Sequence, residues 1–258
     1  MNPSVLTVRN ISKRFGGVQA VQNFSLVLPR GGIVSMIGPN GAGKTTVFNL
    51  ISGVYPLDQG EVYLEDERIS GLPQHLITRK GIARTFQNIR LFQGLTVLEN
   101  VLTALDPFTP YTLVEALFRL SRSRGEEKKA KEKARELLRL VGLDSYQDEQ
   151  PSNLPYGLQR KLEIARALAI RPKVLLLDEP AAGLNPKEVY DFIDLIYTLH
   201  EDHSLSILLI EHRMQVVMEM SDWVYVLNFG KLLAEGKPQD VQKDPEVIKA
   251  YIGEEEAC

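Results

Sequence analysis

The run Gly38-Pro39-Asn40-Gly41-Ala42-Gly43-Lys44-Thr45 holds two glycines separated by four residues and followed by Lys-Thr. This is the Walker A pattern, in which glycines let backbone N–H groups turn inward around phosphate oxygens at a helix N-terminus. Lys44 is then expected to reach the β- and γ-phosphates of a nucleotide, and the Thr45 hydroxyl to ligate Mg²⁺. A flexible Gly-rich turn would have no use for Lys-Thr at a helix start directly after an apolar strand. Val174-Leu175-Leu176-Leu177-Asp178-Glu179 supplies a second set, a buried strand ending in two carboxylates. Beside a phosphate loop, Asp178 suits the metal and Glu179 suits a general base acting on water. A strand that merely ends in solvent would also carry acidic residues, and the upstream loop decides between the two readings. Ile207-Leu208-Leu209-Ile210-Glu211-His212 is a third apolar strand with a polar end. His212 is expected to donate a hydrogen bond to the γ-phosphate, while His75, His200 and His203 are expected to be structural.

These groups need elements to hold them. Short strands are expected at 5–8, 24–28, 33–37 and 62–64, separated by Gly and Pro at Gly16-Gly17, Pro29-Gly32 and Tyr55-Gly60. The middle of the chain reads as helical. Thr96 and Glu99 form one capping box, and Ser123 with Glu126 forms another, opening a mixed-charge run that stops at Gly142. That charged run reads as a solvated helix face. After Pro155, helix, strand, helix and strand alternate at 161–169, 174–178, 186–199 and 206–210, which implies a parallel sheet covered by helices.

Composition sets the outer bounds. The 258 residues carry 30 basic and 33 acidic side chains, a net charge of −3, and 44% hydrophobic residues. That balance gives no electrostatic footprint for nucleic acid or for an anionic membrane surface. Cys258 is the only cysteine, so a reducing compartment is expected. The first residues do not read as a signal peptide. The most apolar runs, 174–177 and 205–210, fall far short of the roughly 20 residues that cross a bilayer. Work at a membrane would require an embedded partner.

The three phosphate-handling segments, in that order and with a helical insert between the first two, resemble the nucleotide-binding subunits of ABC transporters. The resemblance runs from about Val5 to Gly236. It implies an α/β fold: a P-loop NTPase core of the ABC ATPase type, with a small antiparallel β portion and a helical subdomain. The expected division is 1–95 for the first part of the core, 96–154 for the helical subdomain and 155–258 for the rest. ATP and Mg²⁺ are the implied ligands, with nucleotide contacts running from Gly38 through Lys44 and Thr45 to Thr46. Phe15, in Lys-Arg-Phe-Gly-Gly, matches the aromatic that stacks on adenine, although a strand-edge core residue is its other reading. Gln87, in Thr-Phe-Gln-Asn, matches the glutamine that contacts Mg²⁺ and the water and links to the transmembrane partner.

Two segments depart from the family pattern. Asn185 replaces the usual Asp of the dimer-contact loop Ala182-Gly183-Leu184-Asn185, and with Pro186 and Glu188 it also reads as a plain helix N-cap. The family signature Leu-Ser-Gly-Gly-Gln stands here as Leu154-Pro155-Tyr156-Gly157-Leu158. Pro155 has neither the hydroxyl that meets the opposing subunit's γ-phosphate nor an N–H, leaving Gly157 as the unobstructed backbone donor. The site completed by this signature is expected to hydrolyse poorly.

Narrower features resemble the branched-chain amino acid importers, in particular the larger of their two ATPase subunits. They are Gly81-Ile82-Ala83-Arg84-Thr85-Phe86-Gln87, Leu91-Phe92, Thr96-Val97-Leu98-Glu99-Asn100-Val101, the stretch Asp178 to Pro186, Tyr156, and the ending 248–253. The resemblance implies a peripheral protein at the cytoplasmic face of the cell membrane. Its partners would be transmembrane permease subunits, a second ATPase subunit packed head to tail and, indirectly, a solute-binding protein outside the membrane. A heterodimer is expected, a homodimer is the other arrangement, and no nucleic acid is expected. Two rivals remain at this point: a soluble ABC-type ATPase acting on nucleic acid or ribosomes, and a nucleotide-binding regulator that never turns over. The first usually carries two cassettes in one chain or a long coiled-coil insert, and this chain has neither.

Overall fold

The computed structural model describes residues 3–105, 121–203 and 205–255. In chain order the elements are β1 (Ser4–Phe15), β2 (Val18–Pro29), β3 (Ile33–Ile37), α1 (Lys44–Ile51), β4 (Gln59–Leu64), β5 (Glu67–Arg68), α2 (Gln74–Lys80) and β6 (Ile82–Arg84). Helices α3 (Val97–Leu105), α4 (Ser121–Leu140) and α5 (Tyr156–Ala169) follow. The chain continues with β7 (Val174–Asp178), α6 (Pro186–His203), β8 (Ser206–Ile210), α7 (Met214–Met220), β9 (Trp223–Asn228), β10 (Lys231–Gly236), α8 (Pro238–Val241) and α9 (Pro245–Glu255). Two compact units result, one formed by residues 1–87 and 173–258, the other by 88–172.

The first unit holds two sheets. One is antiparallel in the order β2-β1-β4-β5, and the other runs β10-β9-β3-β8-β7-β6. Strands β3, β6, β7, β8 and β9 pair in parallel, while β10 closes one edge antiparallel to β9. Every residue of β3, β7 and β8 is buried. This is why they read as continuous apolar runs: a parallel strand covered on both faces has no polar side. The register sets Met36 and Asp178 on either side of Ile210, and Arg84 opposite Leu176. Strands β3, β8, β7 and β6 therefore end along one sheet edge, and the segments after them emerge together. In open α/β sheets, ligands bind outside the carboxyl ends of the strands.

The second unit is helical and packs α3, α4 and α5 together. Thr96 and Glu99 form the expected capping box, with Thr96 N–H donating to Glu99 Oε2 at 2.8 Å and Glu99 N–H to Thr96 Oγ1 at 3.2 Å. The side chain of Ser123 lies outside the described residues; helix α4 runs through that position from Ser121. It ends as expected at Gly142 (φ 71°), with Leu143 N–H donating to the Leu138 carbonyl at 2.7 Å. The unit's limits, 88 and 172, differ from the expected 96 and 154. Buried Asn100 bonds back to Phe92, Leu95 and Thr96, which draws the stretch before α3 into the unit. Helix α5 joins because it packs on α3 and α4. The altered signature thus belongs to the helical unit. Among the described residues, no helix is long and apolar enough to cross a membrane.

Candidate functional site

The Gly-rich loop leaves β3 and enters α1 through Gly43, whose φ is 103°. A Cβ at Gly38 would lie 2.0 Å from the Leu227 carbonyl oxygen, and one at Gly43 would lie 2.5 Å from that of Ala20. Only glycine fits at either place. Gly41 is exposed, with nothing within 4 Å of an added Cβ, and there it is the φ of 75° that favours glycine. Buried Lys44 folds back on the loop, its ammonium donating to the Gly38 carbonyl at 2.6 Å and to that of Pro39 at 2.8 Å. Thr45, at the same helix end, is exposed.

A cleft of about 400 Å³ opens over this loop. It is lined by Val18, Gln19, Ala20, residues 40–46, Gln87, Glu179, His212, Phe229 and Gly230. Asn40, Gly41, Ala42, Gly43, Lys44, Thr45 and Thr46 therefore reach it together. Gly38 is buried behind the loop, and Pro39 lines a neighbouring cavity of about 350 Å³.

Asp178, only 2% exposed, ends β7. Its Oδ2 accepts a hydrogen bond from Arg84 Nη2 at 2.8 Å, while its buried Oδ1 has no hydrogen-bond partner. Arg84 also donates from Nη1 to Asn49 Oδ1 at 2.7 Å and to Ser52 Oγ at 3.1 Å, and its guanidinium lies over the rings of Phe48 and Phe86. Burial pushes the Asp178 carboxyl above its ordinary pKa, against the lowering effects of Arg84 and Lys44. A buried carboxylate oxygen with no donor is an acceptor that a hard cation could fill, and exposed Thr45 offers a second oxygen ligand at the start of α1. Mg²⁺ keeps several waters and takes only one or two protein oxygens together with substrate phosphates. Accordingly, no cluster of three acidic, His or Cys side chains is needed, and the described residues contain none.

Glu179 follows with φ 47°, in the left-handed region that a non-glycine residue seldom occupies. Such backbone costs about 1–3 kcal/mol and persists where the surroundings enforce it. Here Glu179 N–H donates to the Ile210 carbonyl at 2.9 Å, fixing the turn to the end of β8. The side chain then meets two partners: Gln87 Nε2 donates to Oε2 at 2.7 Å, and His212 Nε2 lies 2.7 Å from Oε1. With Glu179 ionised, that His nitrogen carries the proton. The three side chains read from separate segments of the sequence are in one hydrogen-bonded group.

Phe15 does not line the cleft. It ends β1, 40% exposed, edge-on to Tyr55 at 5.1 Å, with the Lys13 ammonium 5.5 Å from its ring centre. Asn185 takes the plainer of its two readings as a cap, exchanging bonds with Glu188 at 2.9 and 3.0 Å. In the helical unit, Pro155 is the N-cap of α5 and makes no side-chain cap bond. Tyr156 and Gly157 form its first turn, and the Tyr156 hydroxyl accepts from buried Arg160 at 2.9 Å. Arg160 also pairs with Glu163 at 2.9 Å.

The sequence did not single out Arg84, Glu211, Val18, Gln19, Ala20 or Phe229. Arg84 was visible only as part of a family-like string. Glu211 read as a strand end, although an acidic residue against His212 just past a buried strand is a signal. Val18, Gln19 and Ala20 gave none. Phe229 (φ 44°, 84% exposed) and Gly230 (φ 76°) are the two positive-φ residues of the tight turn between β9 and β10, a backbone that suits the glycine and that a bulky residue seldom adopts.

Comparison with known proteins agrees with this geometry. The family model described as "ABC transporter" matches residues 21–182, and one described as "Branched-chain amino acid ATP-binding cassette transporter" matches 231–257. The high-affinity branched-chain amino acid transport ATP-binding protein BraF of Pseudomonas aeruginosa is 46% identical over 98% of this chain and 100% of its own length. Escherichia coli LivG, of the same description, gives the same identity and coverage. The lipopolysaccharide export system ATP-binding protein LptB of Escherichia coli is 33% identical over 98% of each chain. Among solved structures, the ADP conformation of an ATP-binding cassette of an ABC transporter superposes with a TM-score of 0.84 at 34% identity, covering 97% of this chain and 99% of that one. With a glycine loop, a carboxylate pair and a histidine converging at one sheet edge, and relatives matched end to end, this chain belongs to the ATP-binding cassettes of the ABC transporter family.

Proposed function

We propose that the chain binds ATP in the cleft over the Gly-rich loop, hydrolyses it, and so powers a membrane importer of branched-chain amino acids. The observation that carries the reading is Glu179 held between Gln87 and His212 in the cleft that is also lined by the loop residues from Asn40 to Thr46. A carboxylate has about four acceptor positions, so two bonds leave room for water.

Thr45 and Asp178 would hold Mg²⁺, which would neutralise charge on the β- and γ-phosphate oxygens. Lys44 exchanges its bonds with the Gly38 and Pro39 carbonyls for phosphate oxygens. Glu179 orients the water and accepts its proton as general base. The His212 Nε2–H bond can be given to one acceptor at a time. Turning it from Glu179 to the γ-phosphate frees a carboxylate oxygen for the water, so substrate binding itself readies the base.

The partners of this reading are permease subunits, a second ATPase cassette and, through the permease, a solute-binding protein. The chain is then peripheral, at the cytoplasmic face of the membrane, with Gln87 and the helical unit toward the permease. Adenine stacks on Phe15, which presents an exposed aromatic ring at the end of β1. Affinity purification from native membranes tests the reading, followed by ATP turnover and branched-chain amino acid uptake in vesicles. Co-purifying integral membrane proteins and ATP-dependent uptake are expected; recovery of ribosomes or nucleic acid instead would support the soluble-ATPase rival.

A further inference from the structure

Glu211 lies between the two segments that carry the reacting side chains. It follows β8, is 2% exposed, and faces no cation within ion-pair distance among the described residues. Its Oε1 accepts from the Ala181 N–H at 2.9 Å, two residues beyond Glu179. Its Oε2 accepts from the N–H groups of His212 at 2.9 Å and Arg213 at 3.1 Å. One carboxylate thus gathers three backbone donors from two turns that are 30 residues apart in sequence. Arg213 adds a second tie in the same direction, Nη2 donating to the Leu184 carbonyl at 3.0 Å. Burying an anion is costly unless hydrogen bonds compensate, and bonds from ionised acceptors to backbone N–H are the strong kind.

What this clamp holds is the distance that matters for chemistry. Glu179 sits in a left-handed backbone that requires enforcement, and the Ala181 bond fixes the turn immediately after it. His212 reaches Glu179 at 2.7 Å from the other turn. We propose that Glu211 is a positioning residue that locks the Glu179 turn to the His212 turn, so that the backbones carrying the general base and the hydrogen-bond donor keep their spacing while the His212 side chain turns between acceptors. The proposal rests on the assignment of Glu179 and His212 made above. In Glu211→Gln the amide –NH₂ would face backbone donors, leaving at least one N–H unsatisfied. In Glu211→Asp the charge and the local bonds to residues 212 and 213 remain possible, but a side chain one methylene shorter loses Ala181.

The test measures ATP turnover and equilibrium ATP binding by the assembled transporter, with Glu179→Gln as reference. Both Glu211 variants are expected to lower kcat by about ten- to a hundred-fold, the scale of a 1 Å misplacement, with ATP affinity unchanged. Hydrogen exchange at the Ala181 amide should speed up in both. Combined with His212→Ala, Glu211→Gln should cost less than the product of the two single losses, because the two act through one geometry. If Glu211→Gln fails to fold, the charge-retaining Glu211→Asp carries the test. Wild-type turnover by Glu211→Asp, or strictly multiplicative losses in the double variant, would overturn the proposal. Full turnover by Glu179→Gln would instead overturn the assignment beneath it.

Discussion

Arg84 and Asp178 form an ion pair at 2.8 Å, both side chains almost fully buried, that occupies one carboxylate oxygen and leaves the other, Oδ1, without a hydrogen-bond partner. Strand β6 and helix α1 thereby hold the metal-binding candidate in a single orientation, because Arg84 is itself fixed by Asn49 and Ser52. Removing one member of a buried pair leaves an uncompensated charge, which costs about 3–5 kcal/mol. Arg84→Met should therefore lower the chain's unfolding free energy by that amount in denaturant titrations. It should also weaken ATP binding in the presence of Mg²⁺ more than in EDTA. Arg84→Lys, which keeps the charge but cannot span Asp178 and Asn49 together, should fall between. Equal stability of Arg84→Met and wild type would contradict this account of the pair.

Lys44 donates to two loop carbonyls, bonds that it can exchange for phosphate oxygens. Lys44→Ala should bind ATP weakly and show no turnover. An equilibrium titration with unchanged affinity would remove Lys44 from the site.

Phe15 presents an exposed ring steadied by Tyr55. Base–aromatic stacking contributes about 1–3 kcal/mol, so Phe15→Ala should weaken ATP binding correspondingly, while Phe15→Tyr should not. Unchanged affinity in Phe15→Ala would assign the ring to packing alone.

Much of the site was legible in the sequence because it depends on short, contiguous rules. Strands 33–37, 174–178 and 206–210 were bounded correctly, since two-sided burial makes them uninterrupted apolar runs with polar ends. The capping boxes at Thr96 and Asn185 were readable for the same local reason. Strands β1 and β2 run longer than the expected 5–8 and 24–28, because bulged antiparallel pairing continues through polar residues that alternation excludes. Strand β6 escaped notice: three residues carry no period, and Arg84 is polar. Its place is set by pairing with β7, which sequence does not display. Glu211 was missed for a related reason, since its partners are backbone N–H groups, one of them 30 residues away.

Pro155 caps α5 without a side-chain hydrogen bond and lacks the family hydroxyl. Pro155→Ser restores both possibilities. A serine N-cap should stabilise the helix by about 1 kcal/mol. In a heterodimer with an ATPase bearing an ordinary signature, the substitution should also raise turnover at the site this signature completes. Turnover that is unchanged or lower would show that the altered signature already serves that site.

The central claim is that this chain's own carboxylate performs the hydrolysis. Steady-state ATP turnover by the reconstituted transporter carrying Glu179→Gln here, beside one carrying the equivalent change in the second ATPase subunit, tests it most directly. Loss of the general base should cost about 10²–10⁴ in rate while ATP remains bound. The change in this chain should be the more damaging of the two, since the completing signature lies in the partner. Near-normal turnover with Glu179→Gln, or greater damage from the partner's change, would contradict the account.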